Sequence, residues 1–258
     1  MSVMKVVLLA GGLGTRLAEE TETKPKPMVE VGQRPILWHI MKHYAHYGHN
    51  EFIVALGYKS GYIKRYFADY FALRGDLRVN LANGDIRTQR SDEEDWIIDL
   101  IDTGETTGTA GRVKRLAPHL DDTFMLTYGD GVSNIDITAL INFHKAHGKL
   151  ATLTAVRPPT RFGHLDIHGD QITEFSEKPQ LGEGWINGGF FIMEPQVLDY
   201  IDGDDTNLAH APLENLAKDG QLMAFKHEGF WQCMDTLRDK EHLETLWNTG
   251  NPHWKTWS

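Results

Sequence analysis

A short apolar run that ends abruptly in a glycine-rich loop lies near the start of the chain. Residues 6–9 are all apolar, which predicts a strand buried on both faces, and Gly11, Gly12 and Gly14 follow it directly. Glycine permits a sharp turn and a close approach of the backbone to a ligand, and the peptide N–H groups of such a loop bind phosphate oxygens. Arg16 adds a permanent positive charge. These residues therefore predict a strand followed by a phosphate-binding loop.

The spacing of these glycines fits neither the dinucleotide-binding motif GxGxxG nor the P-loop motif GxxxxGK[ST]. On the loop alone, an ordinary strand-to-loop turn explains the glycines equally well. Ten residues after Gly14, a basic segment begins with Lys24, Pro25, Lys26 and Pro27. The two prolines keep this segment extended and out of a helix. A lysine held in this way can place its ammonium beside a bound polyphosphate, and the residues alone leave both Lys24 and Lys26 as candidates.

Composition and charge exclude several classes of protein. Hydrophobic residues make up 41% of the 258 residues and charged residues 24%, which is typical of a globular protein. The net charge of −10 argues against a general nucleic-acid binder, although it does not exclude a small anionic substrate. No run of about 18 apolar residues predicts a membrane span, and the N-terminus lacks a signal-peptide pattern. Cys233 is the only cysteine, so we expect no internal disulfide and a cytoplasmic location.

The periodicity of apolar residues predicts an α/β fold in one domain, residues 1–258. Strands and helices alternate up to about residue 150, with a helix over residues 35–48 and a polar loop over residues 83–95. His39 and His43 on that helix are four residues apart, but no third metal ligand is evident, so we interpret them as surface histidines. From about residue 151 the chain changes to consecutive strands. We therefore expect residues 1–150 and 151–258 to form two functional halves of the domain.

Two aspartates follow predicted strands and are candidate ligands of a metal ion. Asp130 lies between Gly129 and Gly131 after an apolar strand, where the side chain would point into the ligand-binding crevice of an open α/β sheet. A carboxylate there would bind Mg²⁺, but a turn aspartate explains the residues equally well. Asp235 follows a short aromatic strand and could simply cap the last helix.

Two further segments are ambiguous from their residues alone. Residues 103–112 contain three glycines and several small hydroxyl residues before a predicted helix, which favours either a ligand-binding loop or a flexible one. We interpret Trp254 and Trp257, near the C-terminus, as exposed tryptophans. Two such residues predict a packed or intersubunit contact.

Over essentially its whole length, the chain resembles the sugar-phosphate nucleotidylyltransferases. The resemblance rests on LAGGLGTRL, KPKPM, the EKP that starts at Glu177, the NGG that starts at Asn187 and the string GFWQCMDTLRDK. In the last string the aspartate is the fourth residue after the tryptophan, whereas in the general family pattern it is the second. The resemblance implies a Rossmann-like, mixed but mainly parallel sheet flanked by helices. Residues 1–150 would be the nucleotide-binding half and residues 151–258 the sugar-binding half.

The resemblance is strongest to family members that join CTP and α-D-glucose 1-phosphate into CDP-glucose and pyrophosphate. In those enzymes the reaction leads toward deoxysugars of bacterial surface polysaccharide such as the lipopolysaccharide O-antigen. The resemblance implies catalytic roles for Arg16 and Lys26. It also implies that Asp130 and Asp235 hold Mg²⁺. The implied nucleotide contacts are Leu9, Ala10, Gly11, Gly12, Leu13, Gly14, Thr15, Arg16, Lys26, Thr107, Arg112 and Gly129. The implied sugar-phosphate contacts are Tyr128, Glu177, Lys178, Asn187 and Gly188.

Family members assemble, so a homo-oligomer, either a trimer or a hexamer, is the implied quaternary state. The residues leave two other functions open. The same chemistry could use UTP or dTTP, because backbone and loop contacts choose the base. A non-catalytic sensor of nucleotide sugars could also use this fold, although the intact basic and acidic residues argue against loss of activity. We expect no covalent enzyme intermediate, since Cys233 has no base at a recognisable spacing.

Overall fold

A computed structural model of the protein describes residues 4–70, 72, 75–89, 94–158, 164–168, 171–176 and 184–257. The strands are β1 (Val6–Ala10), β2 (Glu30–Val31), β3 (Arg34–Pro35), β4 (Glu51–Leu56), β5 (Asp76–Asn80), β6 (Asp85–Gln89), β7 (Ile97–Asp102), β8 (Phe124–Tyr128), β9 (Gly131–Ser133), β10 (Ala151–Val156), β11 (His164–His168), β12 (Gln171–Ser176), β13 (Ile186–Met193), β14 (Leu222–His227) and β15 (Trp231–Cys233). The helices are α1 (Ala18–Thr21), α2 (Ile36–His46), α3 (Ser60–Ala68), α4 (Thr109–Arg115), α5 (Ile137–His147), α6 (Ala211–Lys218) and α7 (Leu237–Asn248). Short 3₁₀ helices cover Thr15–Leu17, Lys26–Met28, Ala117–His119 and Pro195–Tyr200.

The central sheet contains seven of the described strands in the order β14-β10-β13-β8-β1-β4-β7. Strand β13 runs antiparallel to its neighbours β10 and β8, and the other adjacent pairs are parallel. The sheet is therefore mixed and mainly parallel, which confirms the predicted fold class. Strands β1, β4 and β8 end together, since Leu9 pairs with Tyr128 and Ala10 with Leu56. Loops that follow these strands consequently meet at one edge of the sheet, where open α/β sheets bind ligands.

Alternate residues of each central strand face opposite sides of the sheet and build two cores. In β1, Val6, Leu8 and Ala10 face the core that we call the front core, while Val7 and Leu9 face the back core. Helices α2, α3, α5 and α7 cover the front core, and α4 and α6 cover the back core. Burial on both sides explains why β1 and residues 52–56 of β4 are continuous apolar runs.

The C-terminal tail packs into the front core of its own chain. Trp254 is 1% exposed and Trp257 9% exposed. The Trp254 indole N–H donates to Nδ1 of His39 over 3.3 Å, and Nε2 of His39 donates to the Val31 carbonyl over 2.8 Å. The interpretation of the two tryptophans as exposed is therefore wrong. So is the interpretation of His39 and His43 as surface residues, because the tail covers the helix face that would otherwise meet solvent.

The segment predicted as a polar loop over residues 83–95 contains strand β6, which pairs antiparallel with β5. Ile86 is the only apolar residue of this short strand, so its sequence carries no clear strand pattern, which explains the error. Strands β11 and β12 form the hairpin expected between residues 162 and 175. In the part of the chain described, no helix has the length and apolar character needed to cross a bilayer.

Candidate active site

The glycine loop after β1 turns sharply at Gly14 and folds back toward Lys26. Gly14 has a φ of 66°, in the left-handed region, and begins the 3₁₀ helix Thr15–Leu17. A Cβ atom at this position would lie 2.9 Å from Cγ2 of Thr21 and 3.0 Å from Cβ of Lys26. The Thr21 hydroxyl donates to the Gly14 carbonyl over 3.1 Å and closes the turn. Glycine suits this position because other residues rarely adopt the conformation and a Cβ would crowd Thr21 and Lys26.

Four of the predicted catalytic and metal-binding residues converge on one point at the edge of the sheet. Lys26 Nζ donates to Asp130 Oδ2 over 2.6 Å and to Asp235 Oδ1 over 2.5 Å. Arg16 Nη1 donates to Asp235 Oδ2 over 2.8 Å. Because both carboxylates reach the same nitrogen, their bound oxygens lie about 5 Å apart or less. The two aspartates are therefore close enough to bind one cation together.

Lys26 remains a cation in this arrangement. Its side chain is only 12% exposed, and burial by itself would lower the pKa of Lys26. The charges and hydrogen bonds of Asp130 and Asp235 outweigh burial, so the pKa of Lys26 is raised above its usual value. Arg16 reaches the Asp235 carboxylate from solvent, with 76% of its side chain exposed. Its guanidinium is therefore accessible to a ligand in the cleft.

Backbone hydrogen bonds fix the two aspartates relative to each other. Asp130 follows β8, where the Gly129 N–H donates to the Leu9 carbonyl over 3.0 Å. The Asp130 carbonyl accepts from the Met234 N–H over 2.8 Å, directly before Asp235. The segments that carry the two carboxylates are therefore tied by their main chains, independently of Lys26.

Helix α7 begins directly after Asp235 with a capping box. The Thr236 side chain accepts from the Asp239 N–H over 3.3 Å, and Asp239 Oδ2 accepts from the N–H groups of Thr236 and Asp235 over 2.9 and 3.1 Å. Asp235 is consequently not the cap of this helix, which leaves its carboxylate directed at Lys26.

A cleft of about 400 Å³ surrounds this cluster beyond the ends of β1 and β8. Its lining residues are Leu9, Gly11, Gly12, Gly14, Thr15, Arg16, Lys26, Pro27, Thr107, Gly108, Thr109, Arg112, Tyr128, Gly129, Asp130, Asn207 and Asp235. Thirteen of these are sequence-predicted residues, and Pro27, Gly108, Thr109 and Asn207 were missed. Gly108 and Thr109 belong to the glycine-rich segment over residues 103–112. Asn207 lies in a stretch without a recognisable motif, so no signal in the sequence could have found it.

Two predicted nucleotide contacts lie outside the residues that line the cleft. Ala10 is fully buried in the front core, and Leu13 is an exposed residue at the tip of the glycine loop. Lys24 also lies away from the cleft and pairs with Glu20 over 3.7 Å. The geometry thus favours Lys26 over Lys24 as the lysine of this site.

On the predicted sugar side, the Tyr128 phenol and the Asn187 side chain are neighbours. Burial raises the pKa of Tyr128 to about 12, although the nearby Asn187 acts in the opposite direction, so the phenol stays protonated at neutral pH. The Asn187 side-chain oxygen also accepts from the Gly189 N–H over 2.8 Å, and the Gly188 carbonyl accepts from the Trp231 indole over 2.7 Å. Glu177 and Lys178 lie outside the described residues, so their roles stay predictions.

Cys233 lies beside Asp130 and Asp235 but is not a candidate nucleophile. Burial, followed by the charge of Asp235, raises the pKa of Cys233 to about 12. A thiol with this pKa stays protonated at neutral pH and reacts poorly. Among the residues that the structure describes, no group of three or more His, Cys, Asp or Glu side chains forms a metal-binding cluster. A cation held by Asp130 and Asp235 would therefore need further ligands from water or substrate.

Comparison with known proteins defines the class to which this fold and cleft belong. The family model described as nucleotidyl transferase matches residues 5–236. The chain belongs to this family and is therefore a nucleotidyltransferase, as the sequence resemblance predicted.

Two relatives and one solved structure narrow the comparison. The chain is 54% identical to the glucose-1-phosphate cytidylyltransferase of Salmonella typhimurium over 98% of its own length and 100% of the relative. It is 43% identical, with the same coverage, to a Bacillus subtilis protein named probable glucose-1-phosphate cytidylyltransferase. The fold matches a UTP-bound UGPase from Acinetobacter baumannii with a TM-score of 0.70, over 98% of this chain and 96% of the other, at 16% identity.

Proposed function

We propose that the protein transfers a cytidylyl group from CTP to α-D-glucose 1-phosphate and releases CDP-glucose and pyrophosphate. The observation that carries the reaction type is the convergence of Arg16 and Lys26 on Asp130 and Asp235 inside the cleft. The choice of substrates rests on the 54% identity to the Salmonella typhimurium enzyme over the whole chain. Such a product would feed the synthesis of deoxysugars for bacterial surface polysaccharide.

The proposed chemistry needs charge neutralisation rather than a general base. Sugar phosphate is already largely a dianion at neutral pH, because its second pKa is about 6. One of its oxygens attacks the α-phosphorus of CTP, and the bond from that phosphorus to the bridging oxygen breaks, so pyrophosphate leaves with the electron pair. The main obstacle is the repulsion between two polyanions. Arg16 and Lys26 offset this repulsion at the edge of the sheet, where backbone N–H groups of the glycine loop can hold the triphosphate.

Asp130 and Asp235 fit a Mg²⁺ site. Both carboxylates already bind one cationic nitrogen, so their negative charges converge on a single position. Mg²⁺ in phosphoryl-transfer enzymes commonly uses one or two carboxylates and takes its remaining ligands from water and substrate phosphates. When bound, the ion would neutralise phosphate oxygens as a Lewis acid. Lys26, released from the carboxylates, would then be free to bind the triphosphate.

We assign the hexose to the side of the cleft that carries Tyr128 and Asn187. The phenol and the amide are hydrogen-bonding groups suited to sugar hydroxyls. Glu177 and Lys178 complete the proposed sugar-phosphate site by resemblance only. In the same way we propose a cytoplasmic homo-oligomer, a trimer or a hexamer, whose mass light scattering would measure.

Pyrophosphate release tests the reaction and its substrates together. We expect release with CTP and glucose 1-phosphate in the presence of Mg²⁺, and much slower release with UTP, dTTP, galactose 1-phosphate or mannose 1-phosphate. Preference for UTP or dTTP would assign the same chemistry to another base. Nucleotide binding without release for any pair would identify a sensor instead of an enzyme.

Asp130→Asn tests the proposed metal site. We expect turnover to fall by about a hundredfold or more, since a neutral amide is a poor ligand for Mg²⁺ and no longer balances Lys26. The melting temperature should change little, because the Asp130 side chain is partly exposed. Asp199→Asn removes the same charge beyond the end of β13, at the opposite edge of the sheet, and should leave turnover unchanged. Equal turnover in Asp130→Asn and the unmodified enzyme would remove Asp130 from the site.

A further inference from the structure

One buried arginine binds the ends of three neighbouring strands at the nucleotide side of the cleft. Arg112, on helix α4, is 3% exposed. Its Nη1 donates to the Leu56 carbonyl over 3.0 Å, to Thr103 Oγ1 over 2.9 Å and to the Gly104 carbonyl over 2.6 Å. Its Nη2 donates to the Gly11 carbonyl over 2.9 Å and to the Glu105 carbonyl over 3.2 Å. Both terminal nitrogens are therefore engaged by the chain itself.

These acceptors come from the loops around the predicted triphosphate site. Gly11 is the first residue after β1, Leu56 is the last of β4, and residues 103–105 follow β7. Burial lowers the pKa of Arg112, but a guanidinium stays charged at neutral pH. Hydrogen bonds from a buried cation are about twice as strong as neutral ones. Arg112 therefore holds three separate loops in one arrangement.

The space around the guanidinium explains two glycines that line it. A Cβ at Gly11 would lie 2.3 Å from Cζ of Arg112, and a Cβ at Gly57 would lie 2.4 Å from its Nη1. Neither distance leaves room for a side chain. The glycine at position 11 is therefore required by the arginine packed against it, whatever ligand the loop binds.

We propose that Arg112 is a positioning residue, which fixes the glycine loop through the Gly11 carbonyl before the nucleotide binds. This assignment differs from the direct nucleotide contact implied by resemblance, because the chain already occupies the terminal nitrogens. The contact with Arg112 thereby holds the N–H groups of the loop in place, and nucleotide binding need not order them. The kinetic consequence rests on the proposed function, but the effect on the order of the loop does not.

Hydrogen exchange of the nucleotide-free protein tests the proposal without any turnover. In Arg112→Ala we expect faster amide exchange at residues 11–17 and 103–106 and unchanged exchange in α5. Arg115→Ala is the matched control, since Arg115 lies on the same helix and binds the Thr103 carbonyl and Asp204. It should leave residues 11–17 unchanged. If Arg112→Ala does not fold, Arg112→Lys takes its place; exchange at residues 11–17 equal to that of the unmodified protein would overturn the proposal.

Kinetics separate positioning from direct contact with the base. In Arg112→Lys we expect the KM values for CTP and UTP to rise by the same factor, about tenfold, from the loss of charge-assisted hydrogen bonds. The KM for glucose 1-phosphate should change much less. A changed ratio between CTP and UTP, with normal exchange in the glycine loop, would show a direct contact and overturn the proposal. If the unmodified enzyme turns over neither triphosphate, the proposed function fails while the exchange experiment still decides the role of Arg112.

A double-mutant cycle tests the packing of Arg112 against the glycine loop. Gly11→Ala should lower the melting temperature of the unmodified protein and have a much smaller effect in the Arg112→Ala background, because the clash is then absent. Gly61→Ala is the control, since nothing lies within 4 Å of a Cβ there. Additive effects of Gly11→Ala and Arg112→Ala would overturn the packing argument.

Discussion

Lys26 lies in a position where its own charge would compete with the proposed metal ion. Its ammonium contacts Asp130 and Asp235 at once, and its side chain is mostly buried. In the nucleotide-free protein, the two carboxylates are thus already neutralised by the chain. In our proposal a divalent cation would displace Lys26 on binding both aspartates. Metal binding and release of Lys26 toward the triphosphate are therefore coupled in our proposal.

Lys26→Met tests this competition in the absence of nucleotide. We expect Mn²⁺, measured by its electron paramagnetic resonance signal, to bind about tenfold more tightly, because a neighbouring positive charge has been removed from two carboxylates. Turnover with CTP should fall even so, since the triphosphate loses a cation. Lys24→Met is the matched control, because that lysine pairs with Glu20 outside the cleft. Unchanged or weaker Mn²⁺ binding in Lys26→Met would contradict the competition.

At the scale of single elements, the start of helix α7 determines where Asp235 points. The capping box places Asp239 Oδ2 on the N–H groups of both Thr236 and Asp235. One side chain of the first turn therefore binds the two N–H groups just before the helix and fixes the backbone of the candidate metal ligand. The first turn of this helix is part of the support of the site.

Asp239→Ala should lower both stability and turnover. We expect a loss of about 1 kcal/mol in the free energy of unfolding, typical of a lost cap, and a clear drop in Mg²⁺-dependent rate. Asp136→Ala is the matched comparison, because Asp136 caps helix α5 by accepting from the Ala139 N–H over 2.8 Å. It should cost similar stability but leave the rate unchanged. The same rate loss in both variants, measured beside urea unfolding, would show that stability alone governs the rate.

The sequence predicts secondary structure well where the apolar pattern is long. It predicts the site poorly where residues far apart in the chain come into contact. The strand β1, the helix α2 and the change to consecutive strands after residue 150 follow from local periodicity and turn residues. The contacts between Lys26 and the two aspartates do not, because 104 residues separate Lys26 from Asp130 and 209 from Asp235. From the sequence, only the family resemblance predicted that these three residues belong to one site.

The positioning role of Arg112 could not be predicted from the sequence for a similar reason. Its acceptors are mostly backbone carbonyls, which every residue type carries, so no side-chain pattern marks them. Asn207 reaches the cleft from a loop without a motif, and Trp254 and Trp257 read as exposed because a sequence does not show which surface covers a tail. These errors share one cause, the packing of segments that are far apart in the chain.

At the scale of the whole molecule, two buried histidines of the front core make the stability of the protein depend on pH. Burial lowers the pKa of His39 and of His43 to about 4, below the value of about 6.5 expected in the unfolded chain. The unfolded chain therefore binds more protons below pH 6.5. Stability from the neutral imidazoles is complete above pH 6.5 and is lost progressively as the pH falls toward 4.

Urea unfolding at several pH values checks this consequence. Between pH 7 and pH 5 we expect each histidine to remove about 2 kcal/mol from the free energy of unfolding. In His39→Gln, stability at pH 7 should be lower because the bonds to Val31 and Trp254 are altered, but its decrease with acidification should be less steep by the contribution of one histidine. An equally steep decrease in His39→Gln would show that other groups cause the acid sensitivity.

The burial of Trp254 and Trp257 beside residues from β1 and α2 has a consequence for biosynthesis. The first strand leaves the ribosome early, but the front core that it helps to build lacks two of its large aromatic side chains until residues 254–257 have emerged from the exit tunnel. A nascent chain therefore carries an open apolar surface for most of translation, and such surfaces are what chaperones recognise. Residues 254–257 therefore complete a core whose strand β1 is synthesised much earlier.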